Sequence, residues 1–225
     1  MSDSIEKRVQ RGMIVEFDYA VLPGHQLLLD VYKAQFAEVG LNVDATLMAR
    51  HMLGKPFAHA VTALMTHQGK EVDAQAIVAL CTPAFSAALT DALADVPAEF
   101  KTFVDAVLEK DVKVILISRA NADAVRAMFP NVEKGLAIQT DTSSGFGFLG
   151  WDVWRRTARK NDLRERLCVA ITGSGFSIKG VLTSSMGVMF KENPLVAYQD
   201  FGGADVAIEK FDVALVKEVA RILRI

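Results

Sequence analysis

Cysteine is scarce. The 225 residues hold two, Cys81 and Cys168, far apart and each in an apolar run. That excludes a disulfide framework and predicts two buried thiols. An excess of one charge sign is also missing: 25 basic residues face 27 acidic ones, a net charge of −2. Such a balance gives no electrostatic footing for nucleic acid or an anionic membrane, and neither is expected as a partner. No apolar run reaches the ~20 residues that span a bilayer. The opening MSDSIEKRVQRG holds no apolar signal core, so a cytoplasmic location is expected. Internal repeats and low-complexity tracts are absent. The four histidines, His25, His51, His59 and His67, lack the i, i+4 or His-x-His spacing of a metal site and read as surface or packing residues. Neither Ser118 nor Cys168 has a histidine with a partner acid nearby, so no hydrolytic triad is argued.

What the sequence does have is short apolar runs separated by helical patterns. The runs are MIVEFD (13–18), VKVILIS (112–118), GLAIQ (135–139), CVAIT (168–172) and MGVMF (186–190). Each is about five residues long and most are rich in Val, Ile or Leu, as buried parallel strands are. Helical patterns cover 97–110, 121–128, 151–160, 176–184 and 213–223. Strand and helix in alternation predict a doubly wound α/β sheet. Between the first two strands the pattern changes. Residues 26–39, 45–53, 57–68 and 74–92 read as helices, with Asp44 and Asp73 as N-caps and Gly40, Gly54 and Gly69 as stops. Four helices placed there form a lid rather than a crossover.

The first strand ends Glu16-Phe17-Asp18-Tyr19-Ala20-Val21, the second reaches Ser118, the lid carries Met52-Leu53-Gly54, and Val96-Pro97 and Lys110-Asp111 flank the helix before the second strand. This organisation resembles the haloacid dehalogenase-like (HAD) superfamily with a helical cap of the first type, as in phosphoglycolate phosphatase and β-phosphoglucomutase. The resemblance runs from Met13 to about Leu223. It implies a Rossmann-like parallel sheet core, residues 1–23 and 95–225, with a four-helix cap inserted at 24–94. In that family the first strand ends Asp-x-Asp-Gly-Thr-Leu, with the first Asp as nucleophile and the second as general acid/base. Here Glu16 and Asp18 stand in those places, and Ser118 stands where a Thr or Ser holds phosphoryl oxygens. A Lys is expected where Phe148 stands. The fourth strand should end in acids that ligate Mg²⁺; here it runs into Gly173-Ser174-Gly175, with no carboxylate between Glu165 and Glu192.

Glu is one methylene longer than Asp, and a misplacement of about 1 Å can cost ~10²-fold in rate. Tyr19 replaces a Gly and is expected to enter or cover the pocket. By the resemblance, Asp at 173 and Lys at 148 would restore the ligand and the cation. As they stand, Glu16 and Asp18 have no cation evident beside them, so each is hydrated, paired with a base such as Arg119, or shifted in pKa. The turn Thr172-Gly173-Ser174-Gly175 exposes backbone N–H groups at a helix start and has two readings: an anion site with Ser118 and Arg119, or a tight turn N-capped by Ser174. It is not a Walker A loop, and Ile178 breaks Gly-x-Gly-x-x-Gly. The loop DTSSGFGFLGW, with Phe146, Phe148, Leu149 and Trp151, reads as apolar filling of the space left by the lost Lys and phosphate, or as a ligand or partner surface.

Two functions stand open. One is a catalytically silent HAD-like protein with a ligand-binding or regulatory role, without cofactor, closing on a small phosphorylated or anionic ligand or self-associating. The other is a phosphatase or related hydrolase, with Mg²⁺, using Glu16 as nucleophile and Asp18 as general acid/base.

Overall fold

Among the described residues, β-branched and aliphatic runs bounded by turns give six strands: β1 (Arg11–Glu16), β2 (Val112–Ile117), β3 (Leu136–Gln139), β4 (Cys168–Thr172), β5 (Gly187–Lys191) and β6 (Val206–Ile208). The computed structural model describes residues 10–130, 132, 134–140 and 146–225. Residues 1–9 and 141–145, which include the start of the DTSSGFGFLGW loop, lie outside the described residues. The strands form one sheet in the order β3-β2-β1-β4-β5-β6, and every pairing is parallel. Strand β1 therefore lies between β2 and β4, where the chain switches from one half of the sheet to the other. Clefts beyond the carboxyl ends of strands open at such switch points. Successive residues of β1 feed opposite faces: Met13 and Val15 join one apolar cluster, Ile14 the other, as the period of two requires.

Five strands lie where their apolar runs predict them. The sixth was not expected: three residues, VAI, after a Gly-rich turn are too short to register as a run. Strand β1 also stops two residues early. It ends at Glu16, and Phe17–Ala20 forms a single helical turn, α1.

The helices of the insertion are α2 (Gly24–Ala37), α3 (Ala45–Leu47), α4 (Phe57–Gln68) and α5 (Ala74–Asp91). Asp44 caps α3 by accepting from the Leu47 N–H at 2.7 Å, and Asp73 caps α5 by accepting from Gln75 and Ala76. The third helix is not the continuous segment expected: after Leu47 it widens into a π-turn, Met48–Met52. Gly69 ends α4 at φ +62, in the left-handed region glycine adopts without strain. With the turn that follows it, α5 makes a stretch of 22 residues, Ala74–Asp95, long and apolar enough by length and composition to cross a membrane, which qualifies the reading that no such stretch exists. Here it packs on α2 and α4 through a stripe of Ile77, Cys81, Phe85 and Leu89. Both cysteines are buried free thiols.

The remaining helices are α6 (Ala98–Leu108), α7 (Ala122–Ala127), α8 (Trp151–Lys160), α9 (Gly175–Thr183) and α10 (Val213–Leu223). One apolar cluster runs without a break from the sheet (Met13, Val114, Val169) through Tyr19 into the inserted helices (Leu28, Tyr32, Phe85).

Candidate functional site: a buried acid pair at the strand ends

Glu16, at the end of β1, is 1 % exposed. A buried carboxyl needs hydrogen-bond partners, and the chain supplies three. The Ser177 hydroxyl donates to Oε1 at 2.7 Å. The Thr172 hydroxyl donates to Oε2 in a short contact, and the Gly173 N–H donates to the same oxygen at 3.2 Å. All three donors come from the end of β4 and the first turns of α9. Burial raises the Glu16 pKa to about 7, helped by the nearby Asp18 charge and opposed by the bonds from Thr172, Ser177 and Gly173.

Asp18, 3 % exposed, turns to the other neighbour of β1. It accepts from the Ser118 hydroxyl at 2.6 Å and from the Arg119 N–H at 2.9 Å, with the Arg119 guanidinium 4.0 Å away. Burial pushes its pKa up, while Arg119 and Ser118 pull against that shift. The two acids are thus held separately, one by the β4 end and one by the β2 end. Of the three outcomes expected for these acids, hydration, pairing with a base such as Arg119 and a shifted pKa, the last two are found: Asp18 lies beside Arg119 and both pKa values are raised.

The other flagged residues surround this pair. Tyr19 fills the pocket, as its size predicted: its ring stacks on His25 at 4.5 Å between centroids, and its hydroxyl accepts from the Gly147 N–H at 2.6 Å. Phe146 seals the same region. It packs edge-on against Phe57 and Phe85 at 4.7 and 5.3 Å, and the Arg119 guanidinium lies 5.2 Å from its ring centre. The filling expected of this loop therefore comes from Phe146. Phe148, which the resemblance sets at the Lys position, pairs instead with Phe176 at 6.4 Å and lines a separate outer cavity.

Gly173 cannot be the site of a restored metal ligand. A Cβ there would stand 2.0 Å from the Tyr19 carbonyl oxygen, and one at Gly24 would stand 2.1 Å from the Asp18 carbonyl oxygen. Both glycines are space for the α1 turn, which explains why the strand ends early. Ser174 is also corrected. It occupies the N-cap position of α9 but makes no side-chain cap; Gln199 does that work, accepting from the Gly175 N–H at 2.7 Å and from the Ser174 hydroxyl at 3.2 Å. The four groups read as an anion site are thus each engaged by protein: Ser118 and Arg119 on Asp18, Gly173 on Glu16, Ser174 on Gln199.

His25 was read as a surface or packing residue. It is fully buried, and its Nε2 donates to the Gly173 carbonyl at 3.1 Å. Because a carbonyl only accepts, Nε2 carries the proton, and the buried Nδ1 has no partner among the described residues. Burial lowers the His25 pKa to about 4, so the ring is neutral. So His25 is a packing residue, and Thr172 and Ser177 are partners of Glu16 that sequence reasoning did not name as such; their one trace in the sequence is the run of hydroxyls Thr172, Ser174 and Ser177.

The residues do not fit a Mg²⁺ ion. Magnesium demands near-octahedral oxygen ligands at about 2.1 Å, yet the oxygens of both acids face N–H and O–H donors. Among the described residues no group of three metal-ligating side chains gathers anywhere. What the arrangement can do chemically is hold a proton on Glu16 near neutral pH.

No protein-family model matches the sequence, and no curated protein matches it. Solved structures do. CbbY from Rhodobacter sphaeroides, in complex with phosphate, is 14 % identical, with 93 % of this chain and 100 % of that one covered at a TM-score of 0.69. β-Phosphoglucomutase from Clostridium difficile is 11 % identical, covering 95 % and 98 % at 0.70. A HAD hydrolase of family IA from Entamoeba histolytica is 11 % identical, covering 96 % and 100 % at 0.71. At these identities the likeness is one of fold, and the chain has the fold of the HAD-family hydrolases.

Proposed function

We propose that this protein is a catalytically silent HAD-like protein that binds a ligand or regulates rather than hydrolyses. One observation carries the reading: the oxygens that would attack phosphorus or hold a metal are enclosed and bonded to Thr172, Gly173 and Ser177. In-line attack needs an oxygen that faces the substrate. Here Tyr19, 2 % exposed, and Phe146, 7 % exposed, cover the pair. Charge supports the same reading. Above about pH 7, where Glu16 is ionised, each unit-charge repulsion from an incoming phosphoryl group at 4 Å is about 4 kcal/mol at an effective dielectric near 20. That is of the order of a thousandfold in rate, and no lysine stands at position 148 to offset it.

The alternative, Glu16 as nucleophile and Asp18 as acid/base, has one observation in its favour. A carboxyl with a pKa of about 7 is matched to acid–base work at neutral pH. It lacks an opening through which substrate reaches that carboxyl. A panel of phosphomonoesters assayed with and without Mg²⁺ tests the choice. The proposal expects no turnover above background. Turnover abolished by Glu16→Gln or Asp18→Asn would establish the alternative.

A further inference from the structure

Beside the sealed acid pair lies a cavity of about 520 Å³ that the proposed function does not use. It opens between α8 and α9, and residues 148–150 before α8 and Gly54 of the insertion complete its lining. Its walls are aromatic and aliphatic: Phe148, Leu149, Phe176 and Trp151. Two glycines shape it. At Gly54 a Cβ would meet the Phe176 ring at 2.6 Å, and at Gly180 it would meet the Trp151 Cα at 2.9 Å. So the insertion lies directly on Phe176, and α8 approaches α9 at Trp151. Trp151 is 57 % exposed, which places its indole on the wall of the cavity within reach of solvent.

The polar lining has one sign. Among the described residues Arg155 and Lys179 are the only charged groups of the wall, and Thr183 adds a hydroxyl. The Arg155 Nε is buried and has no hydrogen-bond partner among the described residues, a state a buried donor avoids at a cost of about 1–3 kcal/mol. Glu165, the carboxylate that also feels the Arg155 charge, is engaged by Arg159 at 3.1 Å. Pockets of ~300–1,000 Å³ with apolar walls and a few placed polar groups are the usual form of a small-molecule site.

We infer that this cavity binds a small aromatic carboxylate, its ring against Phe148, Phe176 and Trp151 and its carboxylate toward Arg155 and Lys179. Flat walls favour a flat body, since offset and edge-on ring pairs add about 0.5–1.5 kcal/mol to area burial. An arginine presents paired donors that match a carboxylate, and such charge-assisted bonds are roughly twice as strong as neutral ones. The inference rests on the ligand-binding half of the proposed function and not on the loss of catalysis.

The test is an NMR titration of the full chain with 2-naphthoate, followed at the amides of Gly54, Leu149 and Gly180 and at the Trp151 indole. Saturable shifts confined to this set are expected, with 2-naphthamide and decanoate each binding at least tenfold more weakly. Lys179→Gln and Arg155→Gln should each weaken naphthoate binding about tenfold while leaving the rest of the spectrum in place. If Arg155→Gln disturbs the fold, Lys179→Gln alone decides. Equal affinity for acid and amide, equal affinity for decanoate, or no saturable shift would overturn the inference. Turnover of a phosphomonoester would overturn the silence proposed above and leave this inference standing.

Discussion

Glu16 makes this fold sensitive to pH in an unusual direction. Its pKa is about 7 folded against 4.5 for the ordinary group, so the folded state binds a proton that the unfolded chain has released. Stability from this residue is full below about pH 4.5 and falls as pH rises to 7, by about 3 kcal/mol in all. His25 acts oppositely. Its pKa of about 4 against 6.5 means that stability is present above 6.5 and lost as pH falls toward 4. Glu16→Gln isolates the first effect, because the amide oxygen can accept from Thr172 and Gly173 while its NH₂ donates to Ser177. In urea unfolding, the variant should match the parent near pH 4 and exceed it by about 1–3 kcal/mol at pH 8. A parent that is the more stable of the two at pH 8 would show that the ionised carboxylate is the form this cage prefers. Gly173 is the second residue-scale case. Replacing it with Asp, which the family pattern suggests as a repair, drives a Cβ into the Tyr19 carbonyl oxygen. We expect a loss of about 3 kcal/mol or more in the same unfolding assay, and no gain in Mg²⁺ affinity. Glu16, Asp18 and Tyr19 could be singled out residue by residue, because the resemblance sets each at a motif position. The hydroxyl cage and His25 could not. Thr, Ser and His carry no spacing signal, and only the folding of β4 against β1 brings positions 172 and 177 to position 16.

At the scale of elements, Phe146 and α5 close the site together. Phe146 packs on Phe57, Phe85 and Tyr32. Helix α5 is bolted to the end of β2 by the Ser86 hydroxyl on the Arg119 carbonyl at 2.6 Å and by the Asn121 N–H on the Thr90 hydroxyl at 2.9 Å. Phe146→Ala should cost about 3–5 kcal/mol, as buried Phe truncations do, and should speed hydrogen exchange at the Gly147 amide, whose partner is Tyr19. A cost under about 1 kcal/mol would mean that Phe146 is not a seal. Five strands and most helices could be read from apolar runs and caps, since β-rich runs and Asp N-caps are local signals. Strand β6 could not, because three residues gain their pairing only from β5 beside them. The early end of β1 was equally hidden. Residues 13–18 look like one apolar strand, and the turn at Phe17 depends on room that Gly24 and Gly173 provide from elsewhere in the chain.

At the scale of the whole molecule, the sheet and its inserted helices share one apolar cluster, so the region over β1 is an interior rather than a cleft. The fold is that of the HAD-family hydrolases, side chains fill the region at the switch point, and Glu16 and Asp18 are each hydrogen-bonded to neighbouring hydroxyls. The most direct test is the ionisation of Glu16 itself, followed by ¹³C NMR of its carboxyl carbon in protein labelled at glutamate, with and without excess Mg²⁺ and inorganic phosphate. The account predicts a midpoint near pH 7 that neither addition moves, because Thr172, Gly173 and Ser177 already hold both oxygens. A carboxyl that ionises near pH 4.5, or whose midpoint drops when Mg²⁺ is added, would contradict it and place an open, metal-binding acid at the end of β1.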